Sequence, residues 1–367
     1  MEYRPLGRTG VKVSPICLGT DNYGFVTPED EAIRMIDRAI DAGINLLDTA
    51  NIYKSEPVIG KALALNGKRH QVLIASKVHH PVGPGPNERD LSRLHIMQQV
   101  EESLRRLKTD YLDLYQLHRA CFHIPVEETL SAMTDLVRQG KVRYIGSSTH
   151  PAWKIMEAIM VSELKGYARF VSEQAPYNLL DRRIENELVP MSQAHGVAIL
   201  AWSPLAMGIL AGRYAGWDGK IENYPAGSRA AWDAEGRSKD PAGAKEAGAD
   251  VQAPPGGGIY SERVTPEAVA VGNQFVKLAN EYSLPPAQLA LLWAKDQEGI
   301  TALLAGARTM EHLELILPVL DMKLDESVRA ACDELVPPGT NVANFLNTAL
   351  WGQQRTKIPW TDGTPRE

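Results

Sequence analysis

The chain has 367 residues, 44% of them hydrophobic and 23% charged, and a net charge of −6. That composition supports a large buried core, and the absence of a basic run or stripe argues against a nucleic-acid or anionic-membrane partner. Three scattered cysteines (Cys17, Cys121, Cys332) show no CxxC spacing, which points to free thiols in a reducing compartment. Residues 1–9 carry no signal-peptide pattern and no run reaches the ~18 apolar residues of a membrane helix, so a cytoplasmic protein is expected.

In chain order, Gly7-Arg8-Thr9-Gly10 is flanked by residues 4–6 and 11–13, which predicts a β-hairpin covering one end of the domain. Short apolar runs rich in β-branched residues then recur at 16–19, 44–47, 72–75, 112–117, 142–145, 170–171, 198–201 and 301–304. Amphipathic segments lie between them, among them 29–42, 91–107, 127–138 and 266–282. In the first, Ala32, Ile33, Ile36, Ala39 and Ile40 share one helical face. Strands alternating with helices mean βαβ units and a parallel sheet. About eight repeats without a break in composition favour a closed α/β barrel, a (β/α)8 TIM barrel formed by residues 1–367 as a single domain. Residues 215–261, after the seventh strand, are rich in Gly, Ala and Pro and predict a long loop. After a last helix near 326–335, the tail 337–367 carries Phe345, Trp351 and Trp360. Such aromatics predict a segment that folds back over a rim or meets another subunit, so the chain is expected to be a monomer or a homo-oligomer.

In a parallel barrel the reactive groups gather at the C-terminal strand ends. Asp48 follows the second apolar run, with Tyr53 five residues on; Lys77 follows the third and His118 the fourth. Each has a plain structural alternative: Asp48 as a helix cap, Lys77 as its buried ion-pair partner, Tyr53 as a rim residue, His118 as a packed imidazole. Together they supply what carbonyl reduction by hydride requires. A carbonyl receiving hydride becomes an alkoxide that must be protonated, and a free tyrosine with a pKa of ~10 is a reluctant donor. A nearby ammonium favours the phenolate, a carboxylate keeps that ammonium charged, and an imidazole orients the oxygen. No metal is required.

The stretch Gly43-Ile44-Asn45-Leu46-Leu47-Asp48-Thr49-Ala50-Asn51-Ile52-Tyr53-Lys54-Ser55-Glu56-Pro57-Val58-Ile59-Gly60 resembles the first motif of the aldo-keto reductases. Ser76-Lys77, residues 111–118, Gly140 to Ser148, Trp202-Ser203-Pro204-Leu205-Ala206-Met207-Gly208 and Gly306-Ala307-Arg308-Thr309 follow in that family's order. The similarity covers roughly residues 1–320 and is closest in character to the bacterial and potassium-channel β-subunit branch. It implies an NAD(P)H-dependent reductase acting on a small carbonyl compound, with Tyr53 as acid, Lys77 and Asp48 as its tuning pair and His118 as relay. It further implies NADP as cofactor, with NAD as the alternative. Gly19, Thr20, Asp48 and Gly306 would border the dinucleotide. Ser148, Thr149 and Gln174 would hold the nicotinamide carboxamide, with Trp202 against the ring. Ser203, Leu205 and Gly208 would meet the pyrophosphate through the backbone, and Arg213 and Arg229 would help clasp the cofactor. Arg308, with His312, would meet the adenosine 2′-phosphate.

Several positions depart from the family pattern. Thr149 stands where asparagine is common, Ala120-Cys121 replaces a polar pair, Lys54 replaces a glycine, and His312, Leu315 and Ile316 stand where Gln, Glu and Asn usually hold the adenosine. These leave open an NAD-linked sugar or alcohol dehydrogenase working in the oxidative direction, and a cofactor-binding regulatory module. A metal-dependent hydrolase built on His79, His80, His118 and His123 is the remaining rival, although the first strand end lacks the H-x-H pair that chemistry uses.

Overall fold

The computed structural model describes residues 1–231 and 263–346. The chain enters through an antiparallel hairpin, β1 (Arg4–Pro5) and β2 (Lys12–Val13). Its turn residue Gly7 has φ 57°, and a Cβ there would come within 2.5 Å of the Val171 carbonyl and 2.6 Å of the Gly196 carbonyl, so only glycine lets the turn lie this close. Leu6 and Val13 of the hairpin are buried with Cys17, Leu46, Ala75, Leu114, Val171, Ala198, Leu200 and Ala302. The hairpin therefore plugs the barrel at its N-terminal end, as its sequence suggests.

Eight parallel strands close that barrel. They are β3 (Ile16–Gly19), β4 (Leu46–Asp48), β5 (Leu73–Val78), β6 (Leu112–Leu117), β7 (Val142–Ser148), β8 (Phe170–Pro176), β9 (Ala198–Trp202) and β10 (Ile300–Ala305). Closure comes from β10 pairing with β3, Leu303 opposite Ile16. Each expected run is a strand, but β5, β7 and β8 extend past their apolar residues. Ser76, Lys77, Ser147, Ser148, Glu173 and Gln174 are all buried. They alternate between the barrel interior, where Lys77 and Gln174 reach Asp48, and the layer between strands and helices, where Ser76 meets Glu56 of the second helix. Buried polar side chains satisfied on both faces of the sheet end the apolar pattern before the strand ends.

The intervening helices are α1 (Glu29–Asp41), α2 (Ser55–Asn66), α3 (Arg93–Leu107), α4 (Val126–Arg138), α5 (Ala152–Lys165) and α6 (Leu188–His195), followed by α7 (Pro266–Glu281), α8 (Pro286–Lys295), α9 (Met310–Ile316) and α10 (Glu326–Leu335). α1 has three acidic residues in its first turn and Arg38 in its last, complementing the helix dipole, and buries Ala32, Met35, Ile36, Ala39 and Ile40. α2 reads less clearly, because it is enclosed on several sides and buries Ser55 and Glu56 together with Val58, Ile59, Gly60, Ala62 and Leu63.

Part of the long segment after β9 is described, including a short 3-10 turn at Ile221–Asn223 with Trp217 stacked on Tyr224. The rest of the expected loop, residues 232–261, lies outside the described residues. The first part of the tail does fold back on the barrel's C-terminal rim. Buried Asp181, in the loop after β8, accepts the backbone N–H groups of Phe345 and Leu346 at 2.7 Å each. Trp351 and Trp360 lie outside the described residues.

Candidate active site

Asp48 is the last residue of β4, paired in register with Gly19 and Ala75, and Lys77 sits inside β5 opposite Gln116. The connection from β4 to α2 stays attached to β5: Thr49 N–H donates to the Ala75 carbonyl (2.8 Å) and Asn51 N–H to that of Lys77 (3.1 Å). A tight turn, with Tyr53 N–H donating to the Ala50 carbonyl, then presents Tyr53. Below it, the Ser55 hydroxyl bonds Thr20 and Thr49, and buried Glu56 accepts from Ser76 Oγ (2.6 Å) and Arg106 Nε (2.7 Å). The Thr20 hydroxyl is thus consumed internally; it also donates to the Asp48 carbonyl at 2.6 Å.

Lys77 Nζ donates to Asp48 Oδ1 at 2.5 Å and to the Thr49 carbonyl at 2.9 Å, in a pair almost wholly removed from water. Asp48 Oδ2 accepts from Gln174 at 2.7 Å and from Gln116 at 3.4 Å. Burial raises the Asp48 carboxyl above its ordinary value, while the Lys77 ammonium and the two amides pull it back. With three donors on two oxygens the carboxylate form is the one the site is built for. The same ammonium lies 5.0 Å from the Tyr53 ring centroid.

His118 follows β6 directly, its N–H on the Val78 carbonyl, and its Nε2 is 3.4 Å from Tyr53 Oη. Its ring packs edge-on against His80, with centroids 4.5 Å apart. Burial first, then the electrostatic influence of His80, Arg119, Lys77 and His79, holds its pKa well below the imidazole norm, so it is neutral at physiological pH. Sequence alone assigns no role to Gln116, a polar residue at a fully buried strand position, or to Arg119, and offers His80 only as a ligand in the hydrolase alternative.

At the ends of β7 and β8, Ser148 Oγ donates to the Gln174 carbonyl at 3.0 Å, and Thr149 adopts φ 53°. Buried Glu173 lies beneath. Its carboxyl accepts from Ser147 Oγ (2.5 Å) and His150 N–H (3.0 Å), and burial pushes its pKa to about 8. A folded-state value raised this way gives stability that is present below the ordinary carboxylate range and lost as pH rises through about 8. Glu173→Gln should therefore lose less stability than the wild type between pH ~5 and ~9, by a few kcal/mol at most, at ~1.4 kcal/mol per pH unit. Chemical denaturation across that range measures the difference; parallel profiles would refute it.

After β9, half-buried Trp202 leads into a strained run: Ser203, Ala206, Met207 and Gly208 all have positive φ, from 48° to 95°. Backbone held in this region at non-glycine residues costs of order 1–3 kcal/mol each and tends to persist at ligand sites. Further along the rim, Arg308 Nη1 donates to the Gly227 carbonyl (3.0 Å), and Arg229 meets Asp21 (3.2 Å) and Asn22 (3.3 Å). Burial first, then the charges of Arg213 and Arg229, lowers the Arg308 pKa. Burial, with Arg308 and Arg213, does the same to His312. The charges of Arg213 and Arg229 beside Arg308 make this part of the rim suited to an anion. Ile316, by contrast, packs into the core.

The chain matches the aldo/keto reductase family over residues 15–337. It belongs to that family. Uncharacterized oxidoreductase YrpG of Bacillus subtilis (strain 168) is 36% identical, the match spanning 92% of this chain and 97% of that protein. Protein tas of Escherichia coli (strain K12) is 32% identical over 90% and 96%. A probable voltage-gated potassium channel subunit beta of Oryza sativa subsp. japonica is 30% identical over 90% and 96%. This places the chain in the bacterial and channel-subunit branch that its motifs resemble. The family works with a nicotinamide dinucleotide, an elongated ligand carrying several anionic groups. The rim fits one: it carries a run of left-handed backbone at 203–208 and a cluster of the guanidiniums of Arg213, Arg229 and Arg308. Among the described residues, no group of three or more His, Cys, Asp or Glu side chains is arranged to hold a metal ion, and no helix is long and apolar enough to cross a membrane.

Proposed function

We propose that this aldo-keto reductase reduces an aldehyde or ketone with hydride from NADPH, with Tyr53 as the proton donor and the whole chain acting as one barrel unit. The observation that carries the reading is the convergence of a phenol, a neutral imidazole 3.4 Å from it, and a buried ammonium–carboxylate pair beside its ring. The bound cofactor supplies the hydride. As negative charge grows on the substrate oxygen, Tyr53 Oη releases its proton to it. Lys77 stabilises the phenolate left behind, and Asp48, with Gln116 and Gln174, keeps Lys77 charged and in place. His118, held neutral, orients the carbonyl oxygen through Nε2 without competing for the proton.

In this reading Ser148, Thr149 and Gln174 hold the carboxamide, and Trp202 lies against the ring. The 203–208 backbone, with Arg213 and Arg229, takes the pyrophosphate, and Arg308 and His312 take the 2′-phosphate; Gly19, Thr20 and Gly306 border the groove. The test is steady-state reduction of simple aldehydes, methylglyoxal and aldoses with NADPH and with NADH. Binding of cofactor without turnover of any carbonyl would favour a regulatory module, and faster oxidation of alcohols or sugars with NAD would reverse the physiological direction. Each step assigned to these residues is a proton or hydride transfer that needs no divalent ion, so turnover should be unchanged after EDTA treatment. Activity lost to the chelator and restored by added metal would contradict the mechanism.

A further inference from the structure

Thr149 is β-branched and yet occupies the left-handed region, where asparagine or glycine sits at less cost. Its turn is fastened from several directions. Thr149 N–H donates to the Gln174 carbonyl (3.0 Å), His150 N–H to Glu173 Oε1 (3.0 Å), and His150 Nδ1 is 2.9 Å from the Ser148 carbonyl. The Thr149 hydroxyl is also 3.5 Å from Ser148 Oγ, and a further tie comes from the connection after β6. Arg119 Nη1 donates both to Thr149 Oγ1 (3.0 Å) and to the carbonyl of His118 (2.9 Å). One guanidinium nitrogen thus spans the connections after β6 and β7, and it uses the hydroxyl that a strained threonine brings.

We infer that Arg119 is a positioning residue, which locks the Thr149 turn to the backbone of His118. The proposed carboxamide-holding side of the site and its proton-transfer side then keep one relative placement. The inference rests on the proposed roles of Ser148, Thr149, Gln174 and His118. A guanidinium suits the task because its donors are fixed in a plane and stay charged, so both acceptors are held at set positions. It also accounts for threonine at this position: the side chain gives up an easier backbone in exchange for the hydroxyl that Arg119 bonds.

A double-mutant cycle on the full-length protein tests this, with Arg119→Met, Thr149→Val and the double variant. The readouts are the Kd for NADPH from quenching of protein fluorescence, kcat and KM for a simple aldehyde, and Tm. Each single change should raise the Kd and lower kcat by roughly tenfold, the scale of one lost charge-assisted bond. The double variant should be scarcely worse than Arg119→Met alone. Arg119→Lys should recover most of kcat, since an ammonium can still donate to both oxygens. Effects that multiply in the double variant, or a fall in Tm with Kd and kcat unchanged, would overturn the inference. If Arg119→Met does not fold, Thr149→Ser against Thr149→Val decides: the serine should keep kcat and the valine should not, and equal behaviour overturns the proposal. Gln174→Leu serves as a separate control on the underlying reading. Unchanged NADPH affinity there would remove the carboxamide assignment, whatever the Arg119 cycle gives.

Discussion

Tyr53→Phe should lower kcat by about 10²–10⁴-fold, the usual contribution of a positioned acid, while NADPH binds as before. The substitution removes one oxygen from a half-buried ring, so the barrel should keep its stability. Lys77→Met should damage turnover nearly as much, for a different reason. It takes away the charge that favours the phenolate, and it also leaves Asp48 as a buried carboxylate without its ammonium. Breaking a buried pair in this way costs about 3–5 kcal/mol. Tm should therefore fall in Lys77→Met and hold in Tyr53→Phe, and the pH profile of any residual activity should move only in the former. Retention of more than about a tenth of wild-type kcat in Tyr53→Phe would mean that another group is the acid.

The contrast between these two positions bears on what a sequence can reveal. Asp48, Tyr53, Lys77 and His118 could be read because each is a titratable residue next to an apolar run, and a parallel barrel gathers strand ends at one mouth. Gln116 could not be read in the same way. It lies inside a run whose period is that of a buried strand, and only the register opposite Lys77 turns its amide toward Asp48. Glu173 and Arg119 were hidden for related reasons. A carboxyl fully buried at a strand end looks like any charged residue at a rim until its partners Ser147 and His150 are seen. The role of Arg119 depends on two loops that are 30 residues apart in sequence. Thr149 stood out as a departure from the family pattern, but its backbone conformation is a property of the turn and leaves no mark in residue order. At Thr20 the sequence suggested a cofactor neighbour, and the fold commits its hydroxyl to Asp48 and Ser55. The strand ends were legible, and the ties between neighbouring strands were not.

In the function proposed above, cofactor choice is decided at the adenosine end. In Arg308→Ala the Kd for NADPH should rise roughly tenfold or more, because charge-assisted hydrogen bonds are worth ~1.5–3 kcal/mol, while the Kd for NADH should barely change. Arg308 lies beside two other guanidiniums, and their repulsion depresses its pKa together with burial. A 2′-phosphate bound there would offset that repulsion. His312 adds a pH dependence whose sign comes from the same field. Burial and the positive charges of Arg308 and Arg213 hold it below the ordinary imidazole value, so it is neutral in the free protein near neutral pH. A phosphate placed there reverses the local potential and favours the protonated ring, which means that NADPH binding takes up a proton. Affinity for NADPH should accordingly strengthen as pH falls toward ~6, and His312→Ala should flatten that slope without altering NADH binding. Equal weakening of both cofactors by Arg308→Ala would instead mean that this guanidinium meets a group they share, and the chain would then be an NAD-linked member of its family.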